Sequence, residues 1–539
     1  MEGIGVELQR KNIHMDRVRT EAQNQISLED DMNIPESKPD VSTINFEKGS
    51  VVIDEVKPSA DQVNVKGRML FSILYHTNEG GSNLVTLDGK IPFEEKINMQ
   101  GTDPADNVMV DANLEDLSIN LINSRKLSCQ SVLNLNARVE EIYDEQMPVE
   151  IEQSQPAAGA NPTDSVTASK APIEYRKTPM ELAQIAIDKN DIFRLKEEVT
   201  LPSNYPNIYR LLWHCVSLRD VDFKVTQGKI NLQGDVHLFV LYQGEGEDRS
   251  VRSFETVIPF NGVLECYGCR DGMIPDIRYC LGQQEVAVRP DLDGEERNIS
   301  LELTMDICIK LYEEEKVEVL SDIYGVTQEV ETVKNPANLR RLLAKVTGKS
   351  KVAEQVHLSG SNPPILQLLH SEGKVTLDHQ EITDNGIELS GSLQIQVMYV
   401  TGDDEYPYAS VQEQIPYHYT LEVPGIKQED MSKVNVDVEQ LQVNMLDGEN
   451  MDVKAILVFN TTVFQNISMD LIESVSFSPL DSAKLGNLPG MCIYTVKPGD
   501  NLWNIGKRYY VSVESLKANN NLTGDEITPG QKLLVLKGT

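Results

Sequence analysis

The sequence predicts a mainly β protein: three tandem antiparallel β-sandwich-like repeats followed by a small β-α-α-β module. Three observations carry this expectation. A strand-like segment running from Gly to Tyr, eight residues apart, occurs three times: Gly67–Tyr75, Gly234–Tyr242 and Gly391–Tyr399. Apolar residues alternate between the two anchors, the period of a strand with one buried face. The last 48 residues carry six basic and four acidic side chains, whereas the whole chain has a net charge of −35. A shift of that kind marks a separate module.

The flanks of the three segments keep register. Ile91-Pro92-Phe93, Ile258-Pro259-Phe260 and Ile415-Pro416-Tyr417 each begin 24 residues after the Gly, and Pro39, Pro206 and Pro363 each precede it by 28. The copies are offset by 167 and 157 residues. Self-similarity at this scale defines a repeated structural unit. Further strands are expected at 114–121 and 130–143, at 285–288 and 299–312, and at 434–443 and 451–464. Turns are expected at Glu79-Gly80-Gly81, Asp88-Gly89 and Asp447-Gly448. Several short Val- and Ile-rich strands per unit fit a sandwich or barrel. A short helical turn is expected over 206–213, because Pro suits a first helical position.

These signals place repeat one at 33–144, repeat two at 191–315 and repeat three at 346–466. Residues 145–190 read as a flexible linker, with Pro156, Pro162, Pro172 and Pro179 among Ala, Ser and Thr. Within it, 178–190 could form a short amphipathic helix. Residues 477–491 read as a tether. The four folded units are expected to be separable, with repeats one and two flexibly joined.

Composition narrows the function. Apolar residues make up 40% and charged residues 25%, as in ordinary globular proteins. A chain with 84 acidic and 49 basic residues lacks the positive footprint needed for nucleic acid or an anionic membrane surface. No window approaches 18 consecutive apolar residues. The first residues show no secretory pattern, and an odd number of cysteines, seven, suggests reduced thiols. A cytoplasmic location is the expectation.

The C-terminal module, 492–537, is legible in detail. Residues 493–497 alternate as a strand. Pro498-Gly499-Asp500-Asn501 forms a turn whose last residue can cap a helix. Leu502, Ile505 and Tyr509 share a helix face. Ser512 can cap a second helix, Ile527–Gln531 is another turn, and 532–536 returns as a strand. Leu516, Leu533 and Val535 can complete a small core. Trp503 lies one position off the apolar face, as an interface anchor or a member of the core.

The run Tyr494–Leu502, with Ala518-Asn519 and Ile527–Leu533, resembles a LysM domain. That resemblance implies a shallow groove for N-acetylglucosamine-containing glycans. It would be lined by Gly499, Asp500, Asn501 and Leu502 and by Ile527, Thr528, Pro529, Gly530 and Gln531, with Trp503 beside it. Turn backbone groups suit N-acetyl and hydroxyl partners. Asn501 stands where Ser or Thr is usual. With this module fixed, the three upstream units resemble the SPOCS domain of endospore-forming bacteria. The layout resembles that of the SipL-like spore-coat morphogenetic family. That resemblance implies a scaffold in the mother-cell cytoplasm, at the forespore surface, whose LysM domain binds the coat-basement ATPase. The alternative is a peptidoglycan- or cortex-binding protein using the same groove.

No catalytic motif of the phosphate-loop, dinucleotide, zinc-protease or serine-hydrolase type is present in the sequence. No enzyme activity, cofactor or metal is expected. Cys266-x-x-Cys269 with Cys280 has metal-like spacing. A fourth ligand would have to be Cys215, His214 or Cys308, and reduced thiols in a loop of repeat two are the favoured reading.

Overall fold

The structure, a computed structural model, describes residues 6–78, 84–153, 173–246, 249–358, 360, 362–403, 406–480 and 489–536. Each repeat is a pair of three-stranded antiparallel sheets. Repeat one contains β1 (Val6–Asn33), β2 (Thr43–Ser59), β3 (Gln62–His76), β4 (Leu84–Asn98), β5 (Val108–Asn123) and β6 (Lys126–Gln153). Its sheets have the orders β1-β6-β5 and β2-β3-β4. Repeat two runs β7 (Ile173–Thr200), β8 (Ile208–Thr226), β9 (Lys229–Gly244), β10 (Val251–Glu265), β11 (Ile274–Pro290) and β12 (Glu296–Gly325). Repeat three runs β13 (Gln328–His357), β14 (Ile365–Thr383), β15 (Gly386–Thr401), β16 (Tyr408–Glu422), β17 (Met431–Met445) and β18 (Asn450–Pro479). Both later repeats keep the sheet orders of the first. Each has its own apolar core between its two sheets.

The sequence anchors are joined physically. Tyr75, Tyr242 and Tyr399 are fully buried, and each donates its hydroxyl to the carbonyl of the anchor proline: Pro39 at 3.0 Å, Pro206 at 3.3 Å and Pro363 at 3.1 Å. The anchor glycines pair directly across the sheet with the aromatic of the third motif, Gly67 with Phe93, Gly234 with Phe260 and Gly391 with Tyr417. The ring lies over the glycine, so a Cβ at Gly67 or Gly234 would fall 2.6 or 2.9 Å from a ring carbon. At Gly391 it would fall 2.0 Å from the carbonyl oxygen of Thr376.

A clasp absent from the sequence reading closes the same end. Arg125 donates to the carbonyls of Lys38, Ile34 and Pro35. Arg297 does the same for Tyr205, Leu201 and Pro202. Glu449 occupies the matching place in repeat three, where its carbonyl accepts from Leu358 N as that of Arg125 does from Ile34 N.

The arms of the repeats were not expected. β5 pairs with β6 only over 126–139, so residues 140–153 and their partners 6–18 continue as a two-stranded ribbon. Residues 173–185 with 312–325, and 328–342 with 464–479, form the second and third ribbons. Each ribbon leaves its repeat at a β-bulge, at Arg19, Ala186 and Leu343, which are again offset by 167 and 157 residues. A bulge bends a strand and re-aims it.

The three ribbons meet. Met15, Leu182 and Leu339 occupy equivalent positions, as do Met147, Val319 and Leu471, and all six are buried in one shared cluster. Farther out, Leu8, Ile151, Leu320, Ile323, Ile472 and Phe477 form a second shared cluster. The repeats therefore pack about a pseudo-threefold axis as one body. This corrects the expected linker: 145–153 lie in β6 and 173–190 in β7, while 154–172 fall outside the described residues. The amphipathic helix at 178–190 is strand, and Pro206 is followed by β8 rather than a helical turn. Asp88-Gly89 lies inside β4, where Gly89 faces the Phe71 ring. Asp447-Gly448 is a turn, and Glu79-Gly80-Gly81 falls outside the described residues. The proposed tether begins in β18 and ends in a strand at Met491, with 481–488 outside the description.

A buried ionic cluster joins the three repeats. Asp16 from repeat one accepts from Arg340 at 3.0 Å and Tyr312 at 2.9 Å, and Lys433 stands 3.3 Å away. Lys433 also pairs with Asp276 at 3.1 Å, and Lys310 pairs with Glu140. Burial pushes the Asp16 carboxyl upward, but Lys433, Arg340 and the Tyr312 hydroxyl outweigh it and hold the group below the ordinary range.

Two predictions follow from this packing. Gly391→Ala should lower stability by about 1–3 kcal/mol, because overpacking against backbone cannot be relieved by a rotamer change, read as a lower urea midpoint. A depressed native carboxyl contributes stability that is present above the unfolded value and lost as pH falls through the native one. Arg340→Ala should therefore cost about 3 kcal/mol at pH 7. The deficit should shrink below the ordinary carboxylate range, as Asp16 protonates, in melts recorded against pH.

Candidate functional site

The C-terminal module is β19 (Met491–Thr495), α1 (Leu502–Tyr509), α2 (Val513–Asn520) and β20 (Lys532–Leu536), with β19 antiparallel to β20. Capping builds both helices. The Asn501 side chain accepts from Asn504 N at 2.8 Å, and Ser512 accepts from Ser515 N at 3.1 Å. Tyr494, Val496, Leu502, Ile505, Val511, Leu516, Leu533 and Val535 form the core, with Tyr509 at its margin.

The two expected groove loops are brought together. Val496 is the link: its N–H donates to Gln531 O at 2.9 Å and its carbonyl accepts from Gly530 N at 2.8 Å. Gly499 and Gly530 have φ of 89° and 88°, so both turns need glycine. Asp500 faces inward: Oδ2 accepts from the Tyr494 hydroxyl at 2.6 Å and Lys497 N at 2.8 Å. Those bonds hold its carboxyl below the ordinary range. Gln531 Oε1 accepts from Thr528 N at 3.0 Å. Asp500 and Gln531 thus shape the loops, Leu502 is in the core, and Ile527 is half-buried. Gly499, Asn501, Thr528, Pro529 and Gly530 form the exposed surface.

Trp503 sits elsewhere. Its indole N–H donates to Asp322 Oδ2 at 2.8 Å, and its ring meets Tyr324 edge-on at 4.8 Å. Lys507 pairs with the same carboxylate at 2.6 Å. Tyr324 donates its hydroxyl to Val511 O at 2.9 Å, and Tyr510 donates to Glu329 at 3.3 Å. The face of α1 is therefore seated on the turn that joins β12 to β13 and on the strand ends beside it. Gly506 makes this possible, since a Cβ there would lie 2.6 Å from the Tyr324 hydroxyl. A glycine inside an amphipathic helix was the available signal for a close contact, and it was missed.

The metal-like cysteines do not converge. Cys266 and Cys269 are buried in one turn, where the Cys269 thiol lies 3.1 Å from Thr226 O, while Cys280 is exposed on β11 opposite Asp306. Cys308 is exposed on β12. His214 and Cys215 lie on β8.

The SipL, SPOCS domain family matches residues 40–122, 207–288 and 364–446, and the LysM domain family matches 494–535. The chain carries three SipL/SPOCS domains and a C-terminal LysM domain. Each matched SPOCS range begins one residue after its proline anchor, Pro39, Pro206 or Pro363, and stops short of the arms. Curated relatives share only short segments. An N-acetylmuramoyl-L-alanine amidase, sle1, of Staphylococcus saprophyticus is 40% identical over 65 residues, 12% of this chain and 20% of the relative. An autolysin of Enterococcus faecalis is 50% identical over 46 residues, 8% and 6% of the two chains. A probable N-acetylmuramidase of Lactococcus lactis is 52% identical over 42 residues, 8% and 10%. The chain thus spans a fifth or less of each of these relatives. No solved structure matches. Among the described residues no helix is long and apolar enough to cross a membrane.

Removing the Asp322 carboxylate should undock the LysM domain. Asp322→Ala loses two charge-assisted bonds to the LysM domain, worth about 2–4 kcal/mol together. The chain has two tryptophans, and Trp213 is buried in the repeat body. The expected outcome is a red shift of Trp503 emission with unchanged far-UV circular dichroism. Leu502→Ala should instead cost about 2–5 kcal/mol and unfold the LysM domain.

Proposed function

We propose that this chain is a non-enzymatic scaffold of endospore coat assembly. It binds a coat morphogenetic partner, the ATPase of the coat basement, through the LysM domain at the forespore surface, on the mother-cell side. One observation carries the reading: three SPOCS domains close into a single body that grips the LysM domain by α1 and leaves its loop face outward. Such a body gives a small binding module a fixed position, which is what an assembly adaptor needs. The loops with Gly499, Asp500, Asn501 and Leu502, and with Ile527, Thr528, Pro529, Gly530 and Gln531, supply the recognition surface.

A second reading, binding of N-acetylglucosamine-containing glycan, is favoured by the relatives. Two of them are named for chemistry on N-acetylmuramoyl compounds, and they share the LysM segment. Both readings use the same loops, so one exposed substitution tests them. Thr528→Arg alters an exposed side chain and should change stability by no more than about 0.5 kcal/mol. Full-length bait from sporulating cells should capture a coat protein, and Thr528→Arg should lose it by about tenfold or more. Sedimentation with purified peptidoglycan should be weak for both. Tight sedimentation lost in Thr528→Arg, with no coat protein captured, would replace the scaffold reading by the glycan one.

A further inference from the structure

The pseudo-threefold axis carries two layers whose chemistry the domain assignments do not explain. The offsets of 167 and 157 residues make Phe46, Trp213 and His370 equivalent, and likewise Lys48, Cys215 and Glu372. β2, β8 and β14 each carry a register shift just before the first trio, so all three strands turn the same positions toward one another. Phe46 and Trp213 meet edge-on at 5.1 Å, within an apolar cluster drawn from all three repeats. The third member of that layer is an imidazole. Three equivalent positions thus hold two large aromatics and a histidine, and the adjoining three hold an ammonium, a thiol and a carboxylate.

We propose that Cys215, His370 and Glu372 form a transition-metal site of the Zn²⁺ class at the junction of the three repeats. Their ligand atoms all lie within 4.8 Å of one another. Sulfur, imidazole nitrogen and carboxylate oxygen are the three donor types that Zn²⁺ takes. Cys215 is 4% exposed and comes from repeat two, while His370 and Glu372 come from one face of β14.

An independent observation points to a ligand. The His370 side chain is only 10% exposed, and neither ring nitrogen has a hydrogen-bond partner. A buried imidazole with both nitrogens unsatisfied costs about 1–3 kcal/mol for each polar group, and metal coordination removes part of that cost. The ring is stacked on Phe239 at 4.2 Å, which fixes its plane. Glu255 Oε1 stands 3.8 Å from Nδ1. The tautomer with Nδ1–H toward Glu255 leaves Nε2 for the metal, the usual carboxylate–histidine–metal arrangement. Glu372 is oriented by repeat one, since Lys48 Nζ lies 2.8 Å from Oε2 and the second carboxylate oxygen is left for the metal.

A cavity of about 910 Å³ reaches Glu372 and Lys48 at the edge of the site, with Lys374, Arg219, Glu47 and Gln396 also in its wall, while Cys215 and His370 lie behind that wall. Three protein ligands leave a fourth position for water. On coordination the Cys215 thiol gives up its proton, so one proton is released per ion bound, and no oxidant or reductant is involved. The ion links repeats two and three directly and repeat one through Lys48.

The test uses full-length protein, freed of metal by chelator and titrated with Co²⁺. The expected result is one equivalent bound per chain, with a thiolate-to-cobalt charge-transfer band that Zn²⁺ abolishes by displacement. Cys215→Ser should remove the band and weaken binding by about 100-fold or more, while Cys266→Ser/Cys269→Ser keeps both. Zn²⁺ should raise the melting midpoint of the wild type and not that of Cys215→Ser. If Cys215→Ser does not fold, Cys215→Ala serves in its place. Absence of the band at saturating Co²⁺ would overturn the proposal. So would a band that survives Cys215→Ser or disappears in Cys266→Ser/Cys269→Ser.

Discussion

A two-stranded ribbon cannot bury its own apolar face, and the rest of this structure follows from that. Each repeat extends one long ladder beyond its third strand. Met15, Met147, Leu182, Val319, Leu339 and Leu471 would face water on any arm standing alone. Isolated two-stranded ribbons are marginal in water. The arms become stable only by meeting one another, and their meeting fixes the three repeats about a common axis. The long strands, of 28 to 30 residues, are thereby spent half on the repeat's own core and half on the shared one.

One chain arranged as three near-copies must also select a single arrangement. The ionic cluster supplies a basis for that selection. Asp16, Ala183 and Arg340 are equivalent positions, as are Met109, Asp276 and Lys433. The pairs Asp16–Arg340 and Lys433–Asp276 therefore join unlike repeats with complementary charges. A buried ion pair contributes little net stability, but placing either charge beside an apolar equivalent leaves it unpaired at a cost of several kcal/mol. Divergence of the repeats thus acts against wrong pairings, as charged seams do in coiled coils. The same divergence creates the Lys48, Cys215 and Glu372 layer, which identical repeats could not form.

The LysM domain is small, and its docking converts a loosely appended module into part of the body. Gly506, Trp503 and Lys507 on α1 meet Tyr324 and Asp322 at the end of β12, where the chain passes from repeat two to repeat three. One face is thereby consumed within the chain, and the capped loops remain for a partner. The helix caps and the two positive-φ glycines keep those loops in shape without help from the repeats.

What the sequence determined by itself is whatever depends on neighbours in the chain or on exact repetition. Alternation announced the strands, the Pro, Gly and Ile-Pro-aromatic anchors announced three units, and Asn501, Ser512 and the turn glycines announced the LysM domain. Those features rest on local backbone preference or on cross-strand pairs at fixed spacing, so a linear reading finds them. Of the arms, 145–153 and 173–190 read as linker and 6–18 carries no element signal, because Ile13, Met15 and Leu182 are sparse apolar residues among charged ones and become buried only by the other two repeats. Trp503 was legible as an unusual side chain, but its partner lies 181 residues away in sequence. His370 is one of eight histidines in the sequence, and only the axis sets it beside Cys215. Only the tertiary structure decides which distant residues share an axis, because burial there is the joint property of three segments and is encoded in none of them alone.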